Sequence, residues 1–466
     1  MRTAAFAFFI SLVLAAVLTP LVRAFAIARG WFDYGLEARK VHGRPIPRLG
    51  GVAIVIAFYA PLVGMLLYPT GMAAHFYSDP HRAFALLLGG LAIAGLGLYD
   101  DLQGAGAKMK LVVQLAVALG LWFAGFQVDE LGLPGFGTIA LGAFALPVTL
   151  LWITGIVNAM NLIDGLDGLA GGIAFLALAT SFVVAFVRGD ATMALLCAAL
   201  AGSTAGFLVY NFNPASIFMG DTGSMFLGYV LAAGSIQTRQ KASTAVALLA
   251  PIVSLGLPIV DTMLAIVRRA LAGRPIFSAD RDHIHHRLLA RGFTHRQAVL
   301  VLYGTSLLLC AFGLALSFAS SAQTAAVLTA LAMLGVFGVR TLRRVESKGQ
   351  AAVDVSVRTA IRALAGPLGD AKTNDALFSA LGAAASALGL AQLSLLLPNE
   401  APRNLQRAPT PTAPVLRWPL GEPASGALEL VFADGRRAPD HEQEIAIEVL
   451  VDLIAVARAR IAQSRA

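Results

Sequence analysis

The sequence predicts an all-α polytopic membrane protein of about eleven transmembrane helices, followed by a small α+β cytoplasmic C-terminal domain. Three observations carry that prediction. The 466 residues are 57% apolar and 13% charged, with a mean hydropathy of +0.74, and a water-soluble chain of this length needs far more polar surface. Apolar runs approaching the ~20 residues that cross a hydrocarbon core recur from the N-terminus to residue 340. Charge then becomes denser: residues 341–466 hold 14 Lys+Arg and 13 Asp+Glu, against 21 and 14 in residues 1–340. That step marks a change of solvent from lipid to water and divides the chain into 1–340 and 341–466.

In order, the spans fall near residues 4–28, 50–68, 83–99, 111–127, 137–157, 171–187, 192–209, 223–236, 245–267, 298–318 and 322–340. The first is too long, and too poor in basic residues beyond Arg2, to read as a cleaved signal peptide. The 46 glycines suit membrane helices, where small residues let backbones approach, and Gly202-Ser-Thr-Ala-Gly206 has the small-xxx-small spacing of a helix contact. Cys197 and Cys310 each lie inside an apolar run. That placement excludes a disulfide framework and a cysteine-rich zinc site and leaves both as packing residues.

Basic residues set the orientation. The loops after the first, third, fifth, seventh and ninth spans hold 14 Lys and Arg, among them Arg29, Arg39, Lys40, Arg44 and Arg48; the opposite side, with Arg2, holds five. These loops and the C-terminal tail are therefore expected in the cytoplasm and the N-terminus outside. Basic residues spread between apolar spans do not form the single basic face that nucleic acid requires.

The 14 acidic residues of the first 340 positions are unevenly placed. Asp100 and Asp101 close the third span. Asp164 and Asp167 follow the fifth, in Asn158-Ala-Met-Asn161-Leu-Ile-Asp164-Gly-Leu-Asp167-Gly, and Asp221 follows the seventh, downstream of Asn211 and Phe218. Asp261 sits near the inner end of the ninth span, with Asp280 and Asp282 in the loop beyond. Span parity brings all of them to one face. Acids at the hydrocarbon edge are costly unless paired, wetted or bound to a cation, and Asp clusters with neighbouring Asn make a hard, oxygen-rich site suited to Mg²⁺. Lys108, Lys110, His283, His285, His286 and Arg287 share that face. Carboxylates, Mg²⁺ and cationic side chains together are equipment for binding and splitting a diphosphate.

Each cluster taken alone has a plainer reading. An Asp pair can mark where a helix meets water, a Gly-rich stretch can be a turn, Asp221 can cap a helix and the lysines can anchor lipid headgroups. Zinc at His283-Ile-His285-His286 is disfavoured, because 283 and 286 would share a helix face while 285 points elsewhere. Their coincidence on one face is what argues for a site.

The stretches Pro47-Arg-Leu-Gly-Gly51, Gly97-Leu-Tyr-Asp-Asp101, Asn158 to Ala170, Asn211 to Gly228 and Asp282-His-Ile-His-His-Arg-Leu288 resemble, in order and topology, the bacterial polyprenyl-phosphate N-acetylhexosamine-1-phosphate transferases, glycosyltransferase family four. The resemblance implies transfer of N-acetylhexosamine-1-phosphate, N-acetylglucosamine-1-phosphate above all, from a UDP-sugar to undecaprenyl phosphate. It implies release of UMP at the cytoplasmic face of the bacterial inner membrane, as the first membrane step of envelope polysaccharide synthesis. It implies Mg²⁺, with Mn²⁺ as substitute, held by Asp221 with Asn161. By the same resemblance Asp100 prepares the lipid phosphate with Asp101 as its partner. Asp164, Asp167, Asn211 and Phe218 line the nucleotide pocket, Phe218 by stacking on uracil, and Asn158 and Lys108 complete the substrate-binding set. His283, His285, His286 and Arg287 clamp diphosphate and sugar. The histidine loop and Arg48 favour this branch over the related muramoyl-pentapeptide transferases. A secondary transporter, the rival from another class, would show a midplane site and repeat symmetry, and neither is apparent.

The tail lies beyond the family core. Residues 354–390 read as helix; Leu393–Leu397, Val415–Trp418 and Ala427–Phe432 read as strands; Pro398–Pro414 reads as a loop; and Glu442–Ile461 reads as a final helix. That order resembles a small GAF-like module or a docking platform for a regulator or a downstream glycosyltransferase. A homodimer is the expected assembly.

Overall fold

The computed structural model describes residues 2–33, 46–67, 79–133, 137–240, 249–271, 283–290, 293–319 and 323–335, and further on 366–368, 371, 373–388, 390–397, 401–406, 415–420, 426–433 and 441–463. Two compact units result, Met1–Ala332 and Met333–Ala466. The sequence boundary near residue 341 lies outside the described residues, as do Arg39, Lys40, Arg44, Asp280 and Asp282.

The first unit is helical: Arg2–Arg29 (α1), Gly50–Leu67 (α2), Pro80–Gln103 (α3), Ala107–Phe123 (α4), Ala145–Ile163 (α5), Leu169–Val187 (α6), Ala191–Asn211 (α7), Gly220–Gln240 (α8), Leu249–Ser254 (α9), Gly256–Leu271 (α10), Ile284–Ala290 (α11), His295–Phe318 (α12) and Gln323–Gly335 (α13). Two antiparallel ribbons interrupt it, Phe32–Asp33 (β1) with Ile46–Pro47 (β2) and Glu130–Leu133 (β3) with Gly137–Ala140 (β4). Among the described residues, six helices are long and apolar enough to cross a membrane: α1, α3, α5 with the turn before it, α6, α7 and α12. Phe6, Phe9, Phe123, Leu151 and Val209 stand exposed on the helices, which marks surface turned to lipid. The chain is a multi-pass membrane protein.

Two expected spans are corrected. Residues 137–157 do not form one helix, because Leu131-Gly-Leu-Pro-Gly-Phe-Gly-Thr138 carries three glycines and a proline, poor helix formers. The β3–β4 ribbon stands there, and α5 starts at Ala145 and runs on to Ile163. Asn158 and Asn161 thus lie on the last turns of a helix and not in a loop. The 245–267 span is broken at Leu255 into α9 and α10. Pro258 has no N–H to give the Ser254 carbonyl, and Cys310 donates to that carbonyl instead, with Sγ 3.8 Å away.

Helix α7 is the hub, buried along most of its length between α1 and α6. A Cβ at Gly202 would run into the Phe8 carbonyl, and one at Gly206 into the Leu12 carbonyl, so the small-xxx-small segment is a helix contact. Tyr210 adds a hydrogen bond to the Ala16 carbonyl (3.0 Å). Helix α8 lies against α3 and α5: Tyr229 donates to the Leu86 carbonyl (3.0 Å), and Trp152 Nε1 donates to Ser235 (2.9 Å). With α3 and α8 antiparallel, these contacts leave the start of α8 beside the end of α3, where the acids are.

The second unit has Asn374–Ala387 (α14), strands Leu390–Leu396 (β5), Arg403–Gln406 (β6), Leu416–Pro419 (β7) and Ala427–Phe432 (β8), and His441–Gln463 (α15). Its antiparallel sheet has the order β6-β5-β8-β7. Leu377 and Leu381 of α14, Leu393, Leu395, Leu428 and Leu430 of the central strands, and Leu450 and Ile454 of α15 form one core. The expected helix, strands and helix are present where the chain is described. Within the proline-rich 398–414 stretch, expected as loop, Arg403–Gln406 is a strand. It sits between Pro402 and Pro409 at the sheet edge, the position where flanking prolines cost no ladder bonds.

Replacing Gly202 with Leu should overpack the α1–α7 contact and cost about 1–3 kcal/mol, read as a lower unfolding temperature of purified protein in detergent. Gly120→Ala, whose Cβ meets open space, should leave that temperature unchanged or raise it.

Candidate active site

The site is built on the meeting of two helix ends. Helix α8 begins at Gly220, and its first N–H groups have no partners inside the helix. Asp101, in the last turn of α3, supplies them: Oδ1 accepts from the Asp221 N–H (2.8 Å), and Oδ2 accepts from the Thr222 N–H (3.0 Å) and hydroxyl (2.6 Å). The Asp101 side chain is fully buried, with the Arg48 guanidinium Nε 3.9 Å from Oδ1. Gly97 makes the approach feasible, since a Cβ there would meet the Asp221 carbonyl and Thr222. Hydrogen bonds to a charged acceptor contribute about 1.5–3 kcal/mol each, and the helix dipole adds to them. Asp101, expected as the partner of Asp100, thus holds the start of α8.

Asp100 and Asp221 face each other across a cation. Lys110 Nζ lies 2.9 Å from Asp100 Oδ2 and 2.6 Å from Asp221 Oδ2, and the Ala105 N–H donates to Asp100 Oδ1 (2.6 Å). Of the two lysines expected on this face, Lys108 is exposed. Lys110 reaches the acids because helix α4 buries the face of Gln114, Ala118 and Leu121, and Lys110 lies one turn before Gln114 on that face. Carboxylate oxygens of Asp100, Asp101 and Asp221 all lie within 4.8 Å of one another. This oxygen-rich donor set, which already holds one cation, fits a small hard metal ion.

The end of α5 closes the site from the side. Asn161 Nδ2 donates to Ser224 Oγ (3.1 Å), in the first turn of α8, and Ser224 in turn donates to the Gly220 carbonyl (3.1 Å). Asn158 donates to Gln114 Oε1 (2.6 Å), tying α5 to the Lys110 helix. Asp164 is half-buried. Burial first, then the charges of Asp221, Asp101 and Asp167, push its carboxyl up to about 8, against a smaller opposing pull from Arg48.

Two residues expected to line the pocket also brace the main chain. Buried Asn211 accepts from the Gly168 N–H (3.0 Å) and donates to the Ile217 carbonyl (2.9 Å), so both ends of its amide are spent on main chain. Asp167 Oδ2 accepts from Asn213 Nδ2 (2.9 Å) and the Ala215 N–H (3.0 Å). Phe218 is half-buried, and its main chain pairs with the Pro47–Gly51 segment: its N–H donates to the Pro47 carbonyl (2.8 Å) and its carbonyl accepts from the Gly50 N–H (2.9 Å).

The histidine segment reaches the same place. Asp261, buried in α10, accepts from His283 Nδ1 (3.0 Å) and from the Ile284 N–H (2.9 Å). His283 precedes the first residue of α11, so helix-face spacing does not govern it. Its ring lies parallel to that of His285 at 5.7 Å, and the His285 and His286 rings are 4.3 Å apart. The three are neighbours, which corrects the expectation that 285 turns away. His285 is buried against Gly165, where a Cβ would strike its ring. Burial, with a smaller effect of His286, pushes its pKa down to about 4, so it is neutral at pH 7. His286 is exposed and Arg287 half-buried.

Residues 83–239 match the model of glycosyl transferase family 4. A protein of Bacillus subtilis described as a probable undecaprenyl-phosphate N-acetylglucosaminyl 1-phosphate transferase is 43% identical over 298 residues, 64% of this chain and 80% of that protein. The chain belongs to glycosyl transferase family 4. A decaprenyl-phosphate N-acetylglucosaminephosphotransferase of Mycobacterium tuberculosis is 40% identical over 344 residues (69% of this chain, 84% of that one). A phospho-N-acetylmuramoyl-pentapeptide-transferase of Rubrobacter xylanophilus is 35% identical over 281 residues (54% and 82%). The matched family region holds Asp100, Asp101, Lys110, Asn161, Asp164 and Asp221 of this family 4 enzyme; Arg48, Asp261 and the histidine segment lie outside it.

The raised Asp164 carboxyl has a sign that can be checked. The folded metal-free enzyme binds a proton there that the unfolded chain has released by pH 7, so the contribution to stability is complete below about pH 4 and is lost as pH rises towards about 8. Asp164→Asn should therefore unfold at a higher temperature than wild type at pH 8 in chelator, with the gap closing by pH 4.

Proposed function

We propose that this family 4 enzyme transfers N-acetylglucosamine-1-phosphate from a UDP-sugar to undecaprenyl phosphate and releases UMP. The observation that carries the proposal is the junction of Asp100, Lys110 and Asp221 at the start of α8, in a membrane protein whose relatives at 40–43% identity are named for that transfer. A muramoyl-pentapeptide donor has the 35% relative in its favour, and the higher identities favour the N-acetylglucosamine donor.

In the transfer an oxygen of the lipid phosphate attacks the sugar-bearing phosphorus, the bond from that phosphorus to the bridging oxygen breaks, and UMP leaves with that oxygen. A lipid phosphate is already anionic at neutral pH, so the reaction needs charge neutralisation and orientation more than a strong base. Asp221 and Asn161 would hold Mg²⁺, for which Mn²⁺ can substitute, and the ion when bound supplies charge for the diphosphate. Asp100 orients the lipid phosphate and takes up any proton it carries. Arg48, Arg287 and the neutral His285, whose Nδ1 has no hydrogen-bond partner among the described residues, line the approach of the donor, with Phe218 as the stacking surface for uracil. Asp261 fixes His283 through Nδ1 and leaves Nε2 for the ligand. The fuller topology we assign is eleven crossings, with the site and a GAF-like tail in the cytoplasm.

Purified enzyme with undecaprenyl phosphate, Mg²⁺ and UDP-N-acetylglucosamine should release UMP only when the lipid is present, and Asp221→Ala should lower that rate at least about 100-fold. Lack of release with this donor and with a panel of other UDP-sugars would overturn the proposal. Asp100→Asn should lower kcat about 100-fold or more while UDP-sugar binding stays near wild type; a trapped phospho-enzyme in wild type would replace direct transfer with a two-step route.

A further inference from the structure

Lys110 lies between Asp100 and Asp221, against the carboxylate assigned above to the metal. Its ammonium touches Asp221 Oδ2 and Asp100 Oδ2 at 2.6 and 2.9 Å. The other oxygen of Asp100 is engaged by the Ala105 N–H, and both oxygens of Asp101 are engaged by the start of α8. An ion that uses the Asp221 or Asp100 oxygens facing the other acid therefore competes with Lys110 for them. Two like charges this close cannot both stay ionised in a partly buried site without a cation between them, so the lysine has a definite task when no metal is present.

We propose that Lys110 is the resident counter-cation of the metal seat, displaced when the metal binds. This rests on the metal site assigned above and adds a positioning role for Lys110. Binding of metal alone competes with the charge-assisted Lys110–Asp221 contact, so it is weakened. The displaced ammonium, half-buried and tethered to α4, loses its Asp221 partner until an anion arrives beside it. A phosphate-bearing ligand then restores the balance. Metal and phosphate ligand thus strengthen each other's binding, and by linkage the effect is reciprocal.

The test is a titration of the purified full chain in detergent with Mn²⁺, following the free-ion electron spin resonance signal, with and without UDP. Lys110→Met should bind Mn²⁺ about fivefold more tightly than wild type without UDP, the scale of removing one competing, partly exposed ion pair. UDP should tighten Mn²⁺ binding in wild type and lose most of that effect in the variant. Lys110→Arg should bind Mn²⁺ as weakly as wild type, and Lys110→Gln, closer to lysine in polarity, serves if the Met variant fails to fold. Equal or weaker Mn²⁺ binding by both neutral variants, with Asp221→Ala still abolishing it, would overturn the displacement while leaving the metal seat intact. Mn²⁺ binding untouched by Asp221→Ala would overturn the seat and the displacement together. UMP release reports separately on the transfer reaction and can fail while the Mn²⁺ contrast stands.

Discussion

One buried carboxylate orders the active region. Asp101 reaches from the last turn of one apolar helix to the unsatisfied N–H groups at the start of another, and every other feature of the site inherits its position from that junction. Asp221 is the first acidic residue beyond it, so the cap sets where its side chain stands. Asp100, one residue earlier on α3, projects about 100° away around the helix and meets Asp221 through Lys110. The junction tolerates no filler, since Gly97 already touches α8 and a Cβ on Gly51 would meet the Gly223 backbone. The same pair of helix ends that satisfies orphaned backbone groups at the membrane edge thereby creates an anionic pocket.

Such a pocket is electrostatically expensive, and its solution is distributed. The N-terminal dipole of α8 and Arg48 act on Asp101, Lys110 on Asp100 and Asp221, and a proton on Asp164, whose carboxyl titrates at about 8. No single cation balances the cluster. The cap on Asp101 does not involve Lys110, so the proposed exchange of that ammonium for a divalent ion would leave the α3–α8 junction in place.

Much of this was legible in the sequence, and what was missed has physical causes. Span parity placed the acids on one face from charge and length alone, and the five motif stretches do meet. The 137–157 span misled because Ile139 to Leu146 is apolar enough for membrane, whereas the Gly and Pro residues before it decide the local backbone. Which of the two lysines pairs with the acids was recoverable: Gln114, Ala118 and Leu121 define the buried stripe of α4, and of the two only Lys110 falls on it. Asp261 likewise shares the buried stripe of Leu257, Pro258 and Ala265, which makes its burial readable but not its bond to His283, twenty-two residues on. Asn211 could not be assigned from spacing, because whether a polar residue beside a ligand pocket touches ligand or main chain depends on contacts across the fold.

The motifs are long because neighbouring residues divide two kinds of work. Asp101 holds α8 while Asp100 faces the open side; Asn211 braces Gly168 and Ile217 while Phe218, seven residues on, is left half-exposed; Asp167 anchors the Asn213–Ala215 turn while Asp164 remains within the field of Asp221. Asp261 and His283 repeat the division across a loop. A site formed at helix ends has no surrounding sheet to fix its side chains, and lipid on its flanks offers no hydrogen bonds. Each reacting group therefore needs a buried polar partner to set its backbone, and the nearest available position is a residue or a turn away. Motif length here measures the scaffolding that a membrane-edge site requires, which is why acidic residues of the same type, a few positions apart, do unlike things.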